Sequence, residues 1–151
     1  MKKYILIICV LVFIDQISKW YIMFLLQNVD VIEICGFLRL AQVWNTGISF
    51  GIMNGFMYSN LVFCGISIVI TVILFCFLIS CLVDRLSLAM IIGGSIGNIV
   101  DRIVYGAVYD FIDVYVQSWH WPAFNFADFF IVLGISIIFT KSVLADKKND
   151  A

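Results

Sequence analysis

NLVFCGISIVITVILFCFLISCLV, residues 60–83, carries no charged side chain in 24 consecutive positions. A helix needs about 20 predominantly apolar residues to cross the hydrocarbon core of a bilayer, so this stretch reads as a transmembrane span. The rest of the chain agrees. Hydrophobic residues make up 64 %, charged residues 13 %, and the mean hydropathy is +1.10. A soluble domain keeps about a quarter of its residues charged, which excludes an ordinary soluble globule. Working outward, three more spans are expected, at 4–26, 86–104 and 126–144, the one at 86–104 ending with Asp101 and Arg102. Only the polar pair Asp84-Arg85 separates the second span from the third, so those two helices must be neighbours. The expected architecture is an all-α membrane protein of four transmembrane helices in one membrane-embedded domain over residues 1–151.

The start of the chain, Met1-Lys2-Lys3 and an apolar run, imitates a signal peptide. Asp15, Gln16 and Lys19 interrupt that run, and no small-x-small site precedes Gln27-Asn28. A retained first helix is therefore expected. Lysine and arginine then set the orientation. Lys2, Lys3, Arg85, Lys141, Lys147 and Lys148 fall on one side, against Arg39 and the boundary residue Arg102 on the other. This predicts cytoplasmic termini and outer segments 27–59 and 105–125. Val29 to Ile34 and Leu38 to Trp44 partly alternate, with Gly36 able to turn the chain between them, so a small sheet on the outer face is expected. The second outer segment carries Tyr115, Trp119, Trp121 and Phe124, residues that favour the headgroup level, and is expected along the interface.

Composition also limits the chemistry. A net charge of −1 gives nucleic acid nothing to bind to. The five cysteines are odd in number and mostly inside apolar runs, and they read as inert buried thiols. His120 is the only histidine, and no CxxC pair or His/Cys cluster suggests a metal. Ionisable residues within membrane spans are expensive, so they are functional candidates by default. Asp15 and Lys19, four apart, share a helix face and can neutralise each other as a structural ion pair. Gly93 and Gly97 have the GxxxG spacing that permits close helix contact. Asn98 shares a face with Asp101 and Arg102, where the three could line a wet cavity or meet headgroups. Asp110 follows the third span, and Asp128 opens the fourth, three residues after Asn125. Two carboxylates held close share a proton. One can then activate water while the other polarises a carbonyl. A loop cap and a dipole-favoured acid at a helix N-terminus account for the same two residues, and spacing alone does not bring them together.

Five motifs, in order along nearly the whole chain, resemble lipoprotein signal peptidase (signal peptidase II), an aspartic protease family. Asp15-Gln16-Ile17-Ser18-Lys19 is similar to D-Q-x-x-K, and Asn45-Thr46-Gly47-Ile48-Ser49-Phe50 to N-x-G-A-A-F. Gly94 to Arg102 resembles G-x-x-G-N-x-x-D-R, Val108 to Phe111 resembles V-x-D-F, and Phe124 to Asp128 resembles F-N-x-A-D. Ile48-Ser49 departs from the family's alanine pair, which bears on substrate fit and leaves the reaction alone. The resemblance implies Asp110 and Asp128 as the catalytic dyad. Asn45, Asn98 and Arg102 would line the substrate groove, Asn125 and Asp101 would support the site, and Asp15 and Lys19 would hold the helices. It implies prolipoproteins with a diacylglyceryl-modified cysteine as substrates, cut before that cysteine. The setting would be the bacterial inner membrane among its lipids, as a monomer without cofactor or metal. A transporter or proton-coupled channel would also bury Asp, Lys and Asn, but four spans without a repeat are few for one. A non-enzymatic membrane subunit would leave Asp110 and Asp128 unexplained.

Overall fold

A computed structural model of the chain describes residues 1–47, 59–80 and 83–149, without the side chains of residues 59 and 146–149. The order of elements is α1 (Lys2–Leu25), β1 (Val31–Cys35), β2 (Leu38–Asn45), α2 (Ser59–Ser80), α3 (Arg85–Tyr105), β3 (Val108–Val116), β4 (Trp119–His120) and α4 (Phe126–Asn149). All four helices are long and apolar enough to cross a membrane. α4 runs past the expected limit at 144, because Ala145 to Asn149 contain no breaker. Cys81 and Leu82, at the end of the expected second span, lie outside the described residues.

α3 is the middle of the bundle. It packs against α1, α2 and α4, and 56 % of its apolar window is buried, against 11–22 % for the others. The other three therefore present apolar side chains outward, as lipid requires. Small residues let the backbones close in. A Cβ at Gly94 would stand 2.3 Å from the Ala127 carbonyl oxygen of α4, and one at Gly97 would stand 2.5 Å from Asp15 Oδ2 of α1. Gly134 of α4 returns the contact, with the Ser87 carbonyl oxygen 2.7 Å from where its Cβ would be. The GxxxG pair thus faces α1, since Gly93 meets Leu11 while Gly97 meets Asp15. Asp84 caps α3 by accepting hydrogen bonds from Ser87 N at 3.0 Å and Ser87 Oγ at 2.7 Å.

The two segments expected on the outer face build one antiparallel sheet in the order β1-β2-β3-β4. β1 and β2 form the expected hairpin. The second outer segment, expected as an interfacial stretch, supplies β3 and β4. Alternation did not reveal β3 because both of its faces are covered near its start, with Val108 through Phe111 all buried. The sheet seats on the C-terminal end of α1, where Ile22 and Leu26 pack with Tyr109 and Phe111. Gln42, at a bulge of β2, donates to the Leu26 carbonyl at 2.7 Å and so closes an open carbonyl of α1. Gly106 ends α3 at φ 75°, where any side chain would be strained, and turns the chain directly into β3.

Candidate active site

The start of α4 shows how the two acids are linked. Asn125 and Asp128 are spaced as a helix-capping box. Asn125 Oδ1 accepts from Asp128 N at 3.0 Å, and Asp128 Oδ2 accepts from Asn125 N at 3.3 Å. This reciprocal cap holds the Asp128 carboxylate beside Asn125. The Asn125 amide then reaches across to β3 and donates to Asp110 Oδ1 at 2.6 Å. One fully buried side chain thereby joins both acids.

Neighbouring strands and helices complete the arrangement. Asn45, at the end of β2, donates from Nδ2 to Asp110 Oδ2 at 3.0 Å. Its own Oδ1 accepts from Gly47 N at 2.9 Å, and Gly47 has φ 117°. Ile48, Ser49 and Phe50, the rest of that motif, lie outside the described residues. Asn98 donates from Nδ2 to Asp128 Oδ1 at 2.8 Å. Its Oδ1 accepts from Asn125 Nδ2 and from Lys19 Nζ, each at 3.2 Å, which turns its donor toward Asp128.

Behind the carboxylates stands a second layer of charge. Lys19 Nζ lies 2.8 Å from Asp15 Oδ2 and 2.8 Å from Asp101 Oδ2, and all three side chains are almost wholly buried. Asp15 also accepts from Ala127 N at 2.9 Å, the second residue of α4. A carboxylate there satisfies an otherwise open donor and suits the helix dipole. Asp101 accepts from Tyr109 N at 3.1 Å, next to Asp110. The expected ion pair is therefore a junction of α1, α3, α4 and β3. Sequence reading placed Gln16 in the first motif without a site role, whereas its Nε2 donates to Asp15, to the Gly97 carbonyl and to Asp101 at 2.9–3.1 Å. Its signal was there, a polar residue inside the first apolar run.

Arg102 shares no hydrogen bond with Asp110 or Asp128 among the described residues. Its Nη1 folds back to the Asn98 carbonyl at 3.4 Å. Asp110 is 2 % exposed. Burial first, and the charge of Asp128 second, push its carboxyl up to about 7, against the amide donors of Asn45 and Asn125. No group of three or more His, Cys, Asp or Glu among the described residues could hold a metal. A cavity of about 290 Å³ lies between α1 and α3, with Lys19 and Asp101 in its wall, but neither Asp110 nor Asp128 lines it.

This arrangement has relatives. A family model described as signal peptidase (SPase) II matches residues 7–144. A lipoprotein signal peptidase of Anaplasma marginale (strain Florida) is 41 % identical over 129 residues, covering 83 % of this chain and 76 % of its own length. That of Serratia marcescens is 34 % identical over 142 residues, covering 89 % and 81 %. A solved structure described as a bacterial membrane enzyme, at 2.3 Å resolution, superimposes with a TM-score of 0.82 at 29 % identity, covering 100 % of this chain and 93 % of that one.

Proposed function

The chain belongs to the signal peptidase II family, and from that premise we propose that it removes signal peptides from bacterial prolipoproteins with Asp110 and Asp128 as its catalytic pair. The observation that carries this reading is Asn125, which donates to both carboxylates, to Asp110 from its side-chain amide and to Asp128 from its backbone N–H, where the third and fourth spans meet the outer sheet. The substrate is a diacylglyceryl-modified prolipoprotein, cut before the lipidated cysteine. Its apolar segment lies in the bilayer as a helix, and its scissile bond lies near the outer interface. Its acyl chains stay in lipid while the peptide enters the polar groove lined by Asn45, Asn98 and Arg102. The enzyme works as a monomer in the inner membrane, with both termini in the cytoplasm.

The two acids take different parts. Asp110, raised to about 7, holds the shared proton below that pH. Asp128, partly open and held by Asn98 and its own helix N-terminus, serves as the base. Asp128 takes a proton from water as the water oxygen bonds to the scissile carbonyl carbon. Asp110 gives its proton to the carbonyl oxygen, leaving a neutral tetrahedral diol. The C–N bond then breaks, the leaving nitrogen takes the proton from Asp128, and a hydroxyl proton returns to Asp110. Arg102, with a fork of fixed donors, steadies backbone carbonyls nearby.

The test is to incubate the purified protein in detergent with a diacylglyceryl-modified prolipoprotein, beside Asp110→Asn and Asp128→Asn, and weigh the products. The parent should release the signal peptide, and each variant should lose at least about 100-fold in rate. Cleavage that survives both substitutions would move the chemistry elsewhere. For the parent, kcat should fall as pH rises through about 7, when Asp110 loses its proton.

A further inference from the structure

Asn60, one residue into α2, lies against the outer end of α3 and uses only half of its amide. Nδ2 donates to the Arg102 carbonyl at 3.1 Å. Oδ1 is closed off from solvent and has no hydrogen-bond partner among the described residues. Arg102 is its counterpart. Nη1 has a long bond to the Asn98 carbonyl at 3.4 Å, while Nε is buried without a partner among the described residues. Exchanging the Asn60 oxygen and nitrogen would not help, since it would set two oxygens against each other at Arg102. An unused acceptor and an unused donor therefore stand on two residues that join the start of α2 to the end of α3. Buried polar atoms nearly always find partners, so each of these two calls for one.

Their position indicates the partner. Asn98, one turn before Arg102, donates to Asp128. Phe63, nearly a turn after Asn60, packs on Gly47, where an added Cβ would stand 2.2 Å from the ring. Gly47 in turn follows Asn45, which donates to Asp110. The first turn of α2 thus joins the Asn45 side of the groove to the Asn98 side. A peptide backbone offers one N–H and one C=O per residue, the complement of what is left open. We infer that Asn60 and Arg102 form a subsite for one peptide unit of the substrate, Asn60 Oδ1 accepting a backbone N–H and Arg102 Nε donating to a backbone C=O. This rests on the peptidase reading above. Both atoms are covered in this structure, so the peptide reaches them by parting the contact of the α2 and α3 ends.

The test uses the full-length protein in detergent with lipopeptide substrates in which single backbone N–H groups flanking the scissile bond are replaced by ester oxygens. Asn60→Leu keeps the size and removes the acceptor. Its KM should rise about three- to tenfold, the worth of one hydrogen bond, with kcat within about twofold of the parent. One ester substrate should cost the parent the same factor and cost Asn60→Leu nothing further. Losses that multiply at every ester position, or an unchanged KM, would overturn the subsite and leave a bound water as the partner of Oδ1. Asn60→Asp loses the tie to the Arg102 carbonyl but keeps an oxygen acceptor, so it should retain the parent's ester sensitivity. A rise in KM without that sensitivity would show the tie to be the residue's whole role, and this variant decides the matter if Asn60→Leu does not fold. A parent that cuts no substrate overturns the peptidase reading itself, whereas a parent that cuts without the ester effect overturns the subsite alone.

Discussion

Asp110 and Lys19 show how far single residues set the behaviour of the site. Asp110 in the folded chain holds its proton up to about 7, while an exposed aspartate releases it near 3.8. The stability linked to that proton is complete below about 3.8 and is lost as pH rises through 7. Asp110→Asn removes the dependence. It should therefore melt several degrees above the parent at pH 8 and level with it at pH 4, measured by scanning fluorimetry in detergent. Matching curves at both pH values would mean that Asp110 titrates as an exposed aspartate does. Lys19 is the only cation bonded to Asp15 and Asp101 among the described residues. Lys19→Met would leave two carboxylates buried against each other, at a cost of about 3–5 kcal/mol. It should also free the Asn98 amide to turn, lowering kcat even at temperatures where the variant stays folded.

Helices and strands carry the next level. α3 and α4 approach at Gly94 and Gly134, and the first of these lies against the Ala127 backbone, one residue from Asp128. Gly94→Ala should destabilise the bundle by roughly 3 kcal/mol and abolish cleavage by moving the α4 cap. Gly65→Ala, with nothing within 4 Å of the added carbon, should leave both unchanged. Detergent melting and a cleavage assay on the pair check this. In the sheet, Asp113 of β3 meets Arg39 Nε of β2 at 2.6 Å and His120 Nδ1 of β4 at 2.9 Å. Burial opposes its ionisation, but the bonds from His120 and Arg39 prevail and hold its carboxyl below the usual range. The stability it gives is present above pH 3.8 and is lost as pH falls through that lowered value. β1 and β2 were legible because polar residues such as Glu33, Arg39 and Gln42 interleave their apolar ones. β3 was not, because its first residues are covered on both sides. Asp110 and Asp128 were legible as candidates from motif and position. Their link was not, because it depends on Asn125 capping α4 and bonding β3 with the same amide. Asn60 was read only as a span boundary, since nothing in a charge-free run marks a half-used amide.

Across the whole molecule the hydropathy pattern was the most readable feature, since lipid leaves helices little choice but to be long and apolar. The proposed orientation has a direct check. Cys35 is exposed on β1 in the outer sheet, whereas Cys9 and Cys76 are exposed within the apolar spans. A membrane-impermeant maleimide applied to spheroplasts should label Cys35, and Cys35→Ser should remove that label. Labelling only after the cells are opened would invert the topology. The Asn125 bridge also bears on the making of the protein. Asp110 leaves the ribosome before α4 does, yet its partner acid and the amide that joins them belong to the start of α4. A nascent chain with three helices inserted holds half of the proposed catalytic pair and lacks the Asn125 bridge. The proposed hydrolysis therefore begins only when the fourth helix has docked, so a partly made chain cannot cut.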